Sequence, residues 1–212
     1  IMSWLVIFTY STLASGNVKY GIVALIAVSL VHLAANILDD YFDYKTLIKQ
    51  VDFDKKEYLK NSQKTKCRYL VSGRVKERDI LILSLIYLLI ALTIGVFFYF
   101  KCGIGVFYYA LIGGLIAILY SFLSKIKLSE IAIATTYGPA LFGGIYYVMT
   151  KTYSWEVFVL SIPTAIVTVI LLYIHTVMDY QFDVNEGHNT IANSFDSPLD
   201  SLVVLKYLLI AA

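Results

Sequence analysis

Two acidic clusters in this sequence each follow a long apolar run. The first lies in NILDDYFDYK (36–45) and the second in MDYQFD (178–183). Several of their polar side chains are spaced by four residues, which puts them on one face if the segment is helical. The residues concerned are Asn36, Asp39, Asp40 and Asp43 in the first cluster and Asp179 and Asp183 in the second. Carboxylates held this close repel one another, so both clusters are candidate sites for a bound cation.

The cation that these residue types favour is Mg²⁺. Acidic side chains at membrane depth cost about 2.5–3.5 kcal/mol each, so they usually serve a function and face a protein interior. Mg²⁺ typically binds one or two carboxylates together with the phosphate oxygens of a substrate. We therefore predict Mg²⁺ and a diphosphate between the clusters, with nearby basic residues balancing the remaining phosphate charge. The predicted metal ligands are Asp39, Asp40, Asp43, Asp179 and Asp183.

Other readings of these residues are weaker. Either cluster alone could be an acidic helix end in water, but the pair with bases between them favours a metal site. His32 and His175 each lie one helical turn before a cluster. Because no two histidines stand at ligand spacing, both are predicted to line a pocket rather than to bind metal. Cys67 and Cys102 lie in separate regions and form neither a metal pattern nor a disulfide framework.

The elements that must position the clusters are transmembrane helices. Of the 212 residues, 59% are hydrophobic and 15% are charged, and the mean hydropathy is +0.74. This is far more apolar than a soluble domain, and stretches of about 20 apolar residues can cross a bilayer. Apolar segments lie at about 2–15, 20–38, 80–100, 103–123, 129–149, 156–178 and from 200 onward. We predict an all-α, multi-pass transmembrane bundle of six complete helices and the start of a seventh.

The distribution of basic residues predicts the orientation of this bundle. The polar loop 44–79 holds 11 of the 17 Lys and Arg residues, and the loop after the fourth segment adds Lys125 and Lys127. Lys and Arg in short loops favour the cytosolic side. The ends of segments two, four and six should therefore face the cytosol, which places both acidic clusters on one side. Acidic residues within 44–79 lower its net charge and argue against a nucleic-acid surface.

Four motifs together resemble the UbiA superfamily of intramembrane prenyltransferases, over residues from about 2 to the end. They are NILDDYFDYK (36–45), RYLVSGRV (68–75), the stretch that begins LYSFLSKIKLSEIA (119–132), and MDYQFDVNEGHNTIA (178–192). Four features depart from the usual pattern. Met178 precedes Asp179 where relatives often carry Arg or another polar residue. Tyr69 stands where proline is usual, His188 and Asn189 replace a basic pair, and Tyr120 and Lys125 are five residues apart instead of four.

The resemblance implies a fold and roles for further residues. Relatives have nine helices, so we expect residues 1–212 to form a single membrane-embedded domain truncated at both ends, with 44–79 as a cytosolic cap over the site. The resemblance also implies a diphosphate site. Its predicted members are Asn36, Arg68, Tyr120, Lys125 and Lys127. A pocket for the acceptor or prenyl chain is predicted at His32, Tyr137, Tyr146 and His175.

The reaction that the resemblance implies is Mg²⁺-dependent transfer of a polyprenyl group from its diphosphate to an aromatic acceptor. The motif DDYFDYK is closest to enzymes acting on 1,4-dihydroxy-2-naphthoate in menaquinone biosynthesis. Other acceptors remain open: 4-hydroxybenzoate, an archaeal glyceryl-phosphate lipid or a chlorophyllide. A secondary transporter would also carry intramembrane acids, but those acids tend to lie at the membrane midplane. A non-catalytic scaffold would have no need for five aspartates at two helix ends.

Overall fold

The computed structural model describes residues 2–49, 53–60, 67–180, 183–184 and 190–211, and within them the chain is all helical. Its elements, in chain order, are α1 (Met2–Leu13), α2 (Val18–Leu47), α3 (Lys55–Lys60), α4 (Arg68–Val71), α5 (Glu77–Cys102), α6 (Gly105–Lys125), α7 (Ser129–Thr135), a π-helical segment (Thr136–Ala140), α8 (Leu141–Thr150), α9 (Trp155–Met178), a 3₁₀ turn (Ala192–Ser194) and α10 (Pro198–Ala211). Every apolar segment predicted from the sequence is helical. The expected all-α fold is therefore confirmed.

Among the residues that the structure describes, four helical stretches are long and apolar enough to cross a membrane. They are α2, α5, the run of α7 through α8 (Ser129–Thr150) and α9. Large apolar side chains on α5 are exposed, including Leu85, Leu92 and Phe100. Such a surface is unfavourable in water and suits lipid. The other apolar helices are shorter: α1 has 12 residues, α10 has 14, and the apolar part of α6 is Gly105–Tyr120.

The chain forms two compact units, which we describe separately. Unit A comprises Ile1–Leu25 with Gly95–Ala212, and unit B comprises Ile26–Ile94. Unit B carries the first acidic cluster and the polar loop 44–79. Unit A carries the second cluster and the π-helical segment.

A small hydrophobic core organises the polar loop of unit B. Its buried members are Leu47, Tyr58, Cys67, Leu70, Val71 and Ile80. The short helix α3 begins where the Asp54 carboxylate accepts a hydrogen bond from the Lys56 amide at 2.7 Å, as an N-cap residue does. An ion pair of 2.6 Å between Lys45 and Glu77 joins the end of α2 to the start of α5. The loop is thus a packed structure of its own.

The π-helical segment of unit A contains a kink at Gly138 and Pro139. Gly138 has φ −94° and ψ −108°, outside the helical region, and the following proline lacks the amide hydrogen that a regular helix needs. A Cβ atom added at Gly138 would lie 2.8 Å from the Ala165 Cβ on α9. Glycine at this position therefore permits the close packing of the segment against α9. Pro163, by contrast, lies inside α9, which is continuous from Trp155 to Met178.

The first prediction concerns this kink. Gly138→Ala should lower the stability of the detergent-solubilised protein by about 1–3 kcal/mol, because the added Cβ overpacks against Ala165. Gly113→Ala is the matched control, because an added Cβ at Gly113 meets no atom within 4 Å. The midpoints of thermal unfolding should differ clearly between the two variants. Equal midpoints would contradict the role assigned to Gly138.

The second prediction concerns membrane orientation. Lys56, exposed on α3, and Thr152, exposed in the loop before α9, should lie on opposite sides of the membrane if 44–79 is cytosolic. Single cysteines at these positions, with Cys67 and Cys102 replaced by alanine, would be treated with an impermeant thiol reagent. In intact cells, Thr152→Cys should be labelled and Lys56→Cys protected until the membrane is opened. The reverse pattern would overturn the orientation.

Candidate functional site

The first acidic cluster lies on the last three turns of α2. Asp39, Asp40 and Asp43 are partly buried and Asn36 is exposed. Because α2 is continuous to Leu47, spacings of four and three residues place Asn36, Asp40 and Asp43 on one helix face. The predicted arrangement of this cluster is therefore present in the backbone.

A tyrosine from the polar loop contacts this cluster. The Tyr69 hydroxyl donates a hydrogen bond of 2.8 Å to Asp40 Oδ2 across 29 positions of sequence. Burial raises the pKa of the Tyr69 phenol, and the hydrogen bond and charge of Asp40 raise it further. Tyr69 thus keeps its proton, and can donate to the carboxylate, throughout the neutral range.

The amide of Asn36 is also held by a neighbour. Its Nδ2 atom lies 3.3 Å from Nε2 of His32, one turn earlier on the same helix. His32 is therefore adjacent to the cluster, as predicted, and contacts its amide member. Its predicted part in an acceptor or prenyl pocket stays a prediction.

A basic cavity of about 450 Å³ lies beside Tyr69. Its lining residues are Leu59, Arg68, Tyr69, Ser72 and Arg74. The Arg68 guanidinium donates to the carbonyl of Leu59 at 2.5 Å, which joins α4 to α3. Gly73, with φ +78°, ends the helical turn and lets the Arg74 amide donate back to the Tyr69 carbonyl at 3.1 Å. The motif RYLVSGRV therefore folds so that both arginines line one cavity, which suits an anionic ligand.

The second acidic cluster lies at the C-terminal end of α9. Asp179 caps the helix and is exposed, whereas Asp183 is buried, with 6% of its surface exposed. The Asp183 amide donates to the Asp179 carbonyl at 2.9 Å, so the two residues are one helical turn apart. His175 Nδ1 lies 2.7 Å from the Leu171 carbonyl, so its ring bonds to its own helix. His188 and Asn189 lie outside the described residues.

The predicted bases of unit A follow α6. Lys127 has a left-handed backbone, with φ +61°, and its ammonium donates to the Ser194 hydroxyl at 2.7 Å. This bond joins the turn between α6 and α7 to the segment after the second cluster. Lys125 ends α6, and its side chain lies outside the described part of the chain. The diphosphate contacts expected of both lysines stay predictions.

The predicted pocket tyrosines fall into two places. Tyr120 and Tyr137, from α6 and the π-helical segment, are close enough to interact electrostatically. Tyr146 packs against Tyr10 of α1, with ring centroids 5.9 Å apart. The part of Tyr137 and Tyr146 in an acceptor or prenyl pocket, and that of Tyr120 in the diphosphate site, stay predictions.

The metal ligands predicted from the sequence stay predictions. Among the described residues, no group of three His, Cys, Asp or Glu side chains is arranged around a common metal position. The donor chemistry does fit Mg²⁺, because both clusters offer carboxylate oxygens at helical spacing, and one or two carboxylates suffice when phosphate oxygens complete the shell. Each unit, taken by itself, therefore offers carboxylate donors of the type that Mg²⁺ binds.

Two residues of interest were missed by the sequence reasoning. Tyr69 was noted only as a departure from proline, although an aromatic hydroxyl beside Arg68 was a signal. Glu130 was not singled out, yet it is buried with 7% exposure at the start of α7. Its Oε2 accepts from the Ser129 hydroxyl at 2.8 Å, while Oε1 has no hydrogen-bond partner in the described structure. A charged residue at the start of an apolar helix was its signal.

Comparison with known proteins identifies one family. The model of the UbiA prenyltransferase family matches residues 1–212, the whole length of the sequence. No curated protein and no solved structure matches the chain. The family match agrees with the resemblance seen in the four motifs.

Proposed function

The chain belongs to the UbiA prenyltransferase family, and on that premise we propose that it transfers a polyprenyl group from a polyprenyl diphosphate to an aromatic acceptor. Family membership supports prenyltransferase activity in general. Together with the four apolar helices of membrane-spanning length, it indicates a multi-pass integral membrane protein. The Mg²⁺ requirement, the acceptor and a site facing the cytoplasm are parts of the proposal.

The observation that carries the proposal is the contact between the first acidic cluster and the basic cavity. Tyr69 belongs to both, because it donates to Asp40 and lines the cavity with Arg68 and Arg74. A metal–diphosphate complex needs carboxylates for the metal and cationic donors for the phosphate oxygens. Unit B offers both kinds of group in adjacent positions.

Each group has a distinct part in the proposed reaction. Bound Mg²⁺ would stabilise the negative charge of the departing diphosphate. Asp39, Asp40 and Asp43 on α2 are the proposed metal ligands of unit B, and Asp179 and Asp183 at the end of α9 are those of unit A. The guanidinium of Arg68 would bind phosphate oxygens through paired N–H donors. As the C–O bond to the diphosphate breaks, the apolar helices exclude water from the allylic cation. The acceptor ring then captures the cation and regains its aromaticity by losing a proton, or CO₂ from a carboxylated carbon.

The proposed acceptor is 1,4-dihydroxy-2-naphthoate, a substrate of menaquinone biosynthesis. This choice rests on the resemblance of DDYFDYK to that branch of the family. An assay of the purified protein with 4-hydroxybenzoate, a glyceryl-phosphate lipid and a chlorophyllide alongside it would decide among the acceptors.

A secondary transporter is the alternative from another class. Transporter acids tend to lie in broken helices near the membrane midplane. Here, Asp179 caps the end of α9 and Asp40 lies within two turns of the end of α2. Carboxylates at helix ends, one of them hydrogen-bonded to a tyrosine that lines a basic cavity, favour diphosphate binding over transport.

The third prediction tests the acidic clusters. Asp40→Ala and Asp179→Ala should each abolish Mg²⁺-dependent prenyl transfer, because each removes an oxygen ligand. Folding should change little, since each substitution also relieves repulsion between neighbouring carboxylates. Asp79→Ala, which removes an exposed acid at the start of α5, is the control and should retain activity. Near-normal activity in either cluster variant would exclude that residue from the metal site.

The fourth prediction tests the basic cavity. Arg68→Lys keeps the charge but loses the paired donors of the guanidinium, so it should weaken binding of a prenyl diphosphate or slow turnover by roughly tenfold. The same change at exposed Arg78, outside the cavity, should have little effect. Kinetics of Arg68→Gln complete the series. Unchanged kinetics in both Arg68 variants would remove Arg68 from the site.

A further inference from the structure

The geometry points to Tyr69 as a positioning residue for the reaction, one that orients the Asp40 carboxylate toward the metal–diphosphate complex. This inference rests on the proposed function. It concerns a residue that departs from the proline usual at this place in the family. Its basis is therefore the structure of this chain, not the family pattern.

The contact itself limits the freedom of Asp40. A carboxylate at the end of a helix can rotate about two side-chain bonds, and each rotamer directs its oxygens differently. The Tyr69 hydroxyl binds one of these oxygens, Oδ2, at 2.8 Å. A hydrogen bond to an ionised acceptor is stronger than one between neutral groups, so it selects among the rotamers.

The Tyr69 hydroxyl is itself fixed by its surroundings. The ring packs against the buried core that includes Leu70 and Val71, and the tyrosine is partly buried. Its backbone carbonyl accepts hydrogen bonds from the Ser72 hydroxyl at 3.1 Å and from the Arg74 amide at 3.1 Å. A donor that is held rigidly can orient a carboxylate, whereas a mobile one cannot.

Tyr69 also contacts both parts of the proposed site, the metal-binding carboxylate and the arginine-lined cavity. It lines the cavity that contains Arg68 and Arg74, so the orientation of Asp40 is linked to the wall that would receive the phosphates. A ligand bound by the arginines would therefore meet an Asp40 carboxylate already turned toward one direction. Tyr69 acts in this scheme through Asp40, without itself contacting the reacting atoms.

The experiment measures equilibrium binding of a non-reactive prenyl diphosphate analogue to the purified full chain as Mg²⁺ is varied. Tyr69→Phe removes only the hydroxyl and keeps the ring. It should raise the Mg²⁺ concentration for half-maximal binding by roughly tenfold, the effect expected when a hydrogen-bond partner of a metal ligand is lost. At saturating Mg²⁺ the affinity for the analogue should return to the wild-type value, and the loss of turnover should appear mainly at low Mg²⁺.

A matched control is available in the same core. Tyr44 also packs against it, and Tyr44→Phe should leave the Mg²⁺ dependence unchanged. A second variant, Tyr69→Gln, supplies an amide donor and should recover part of the Mg²⁺ affinity relative to Tyr69→Phe. It also provides the test if Tyr69→Phe does not fold.

The outcomes separate the inference from its premise. Wild-type protein with no Mg²⁺-dependent binding would overturn the proposed function and this inference with it. Wild-type binding with an unchanged Mg²⁺ dependence in Tyr69→Phe would overturn the positioning role alone. A loss of affinity that persists at saturating Mg²⁺ would also overturn it, because it would indicate direct contact between Tyr69 and the diphosphate.

Discussion

The solvation of carboxylates at the ends of apolar helices is the constraint on which the rest of this structure depends. An acidic side chain beside lipid is costly unless protein groups, ions or water surround it. In unit B, the polar loop that follows α2 folds back on a core of its own and brings a tyrosine hydroxyl to Asp40. The same loop forms the basic cavity. The polar loop therefore both stabilises the Asp40 carboxylate and forms the basic cavity.

The helices of unit A pack closely where regular backbone is interrupted. The π-helical segment, which is kinked at Gly138 and Pro139, packs closely against α9. A Cβ atom added at Gly138 would lie only 2.8 Å from the Ala165 Cβ. That packing supports the helix whose C-terminal end carries Asp179. The ammonium of Lys127 then bonds to Ser194 and joins the neighbouring turn to the chain beyond the second cluster. The irregular backbone thus packs against the middle of α9, and a long-range polar contact lies beside the chain that follows the second cluster.

Much of the fold could be predicted because it depends on local properties of the chain. The apolar segments became helices, since a chain in lipid must satisfy its backbone hydrogen bonds within the segment. Helical geometry alone places Asp40 near Asp43, and Asp179 near Asp183. The structure agrees with this expectation, because α2 is continuous through the first pair and the Asp183 amide donates to the Asp179 carbonyl. The kink at Pro139 was predictable because proline cannot continue a helical hydrogen-bond pattern.

What the sequence alone determined, then, was the type and extent of the helices, the position of the carboxylates along them, and the family. Tertiary structure alone decided which distant side chains meet. Tyr69 and Asp40 are separated by 29 positions and Lys127 and Ser194 by 67, and no local periodicity relates them. The burial of Glu130, with one oxygen unpartnered within the described structure, was likewise invisible in the sequence. The physical reason is that helix formation follows from interactions between near neighbours, whereas such contacts depend on how separate segments pack in space.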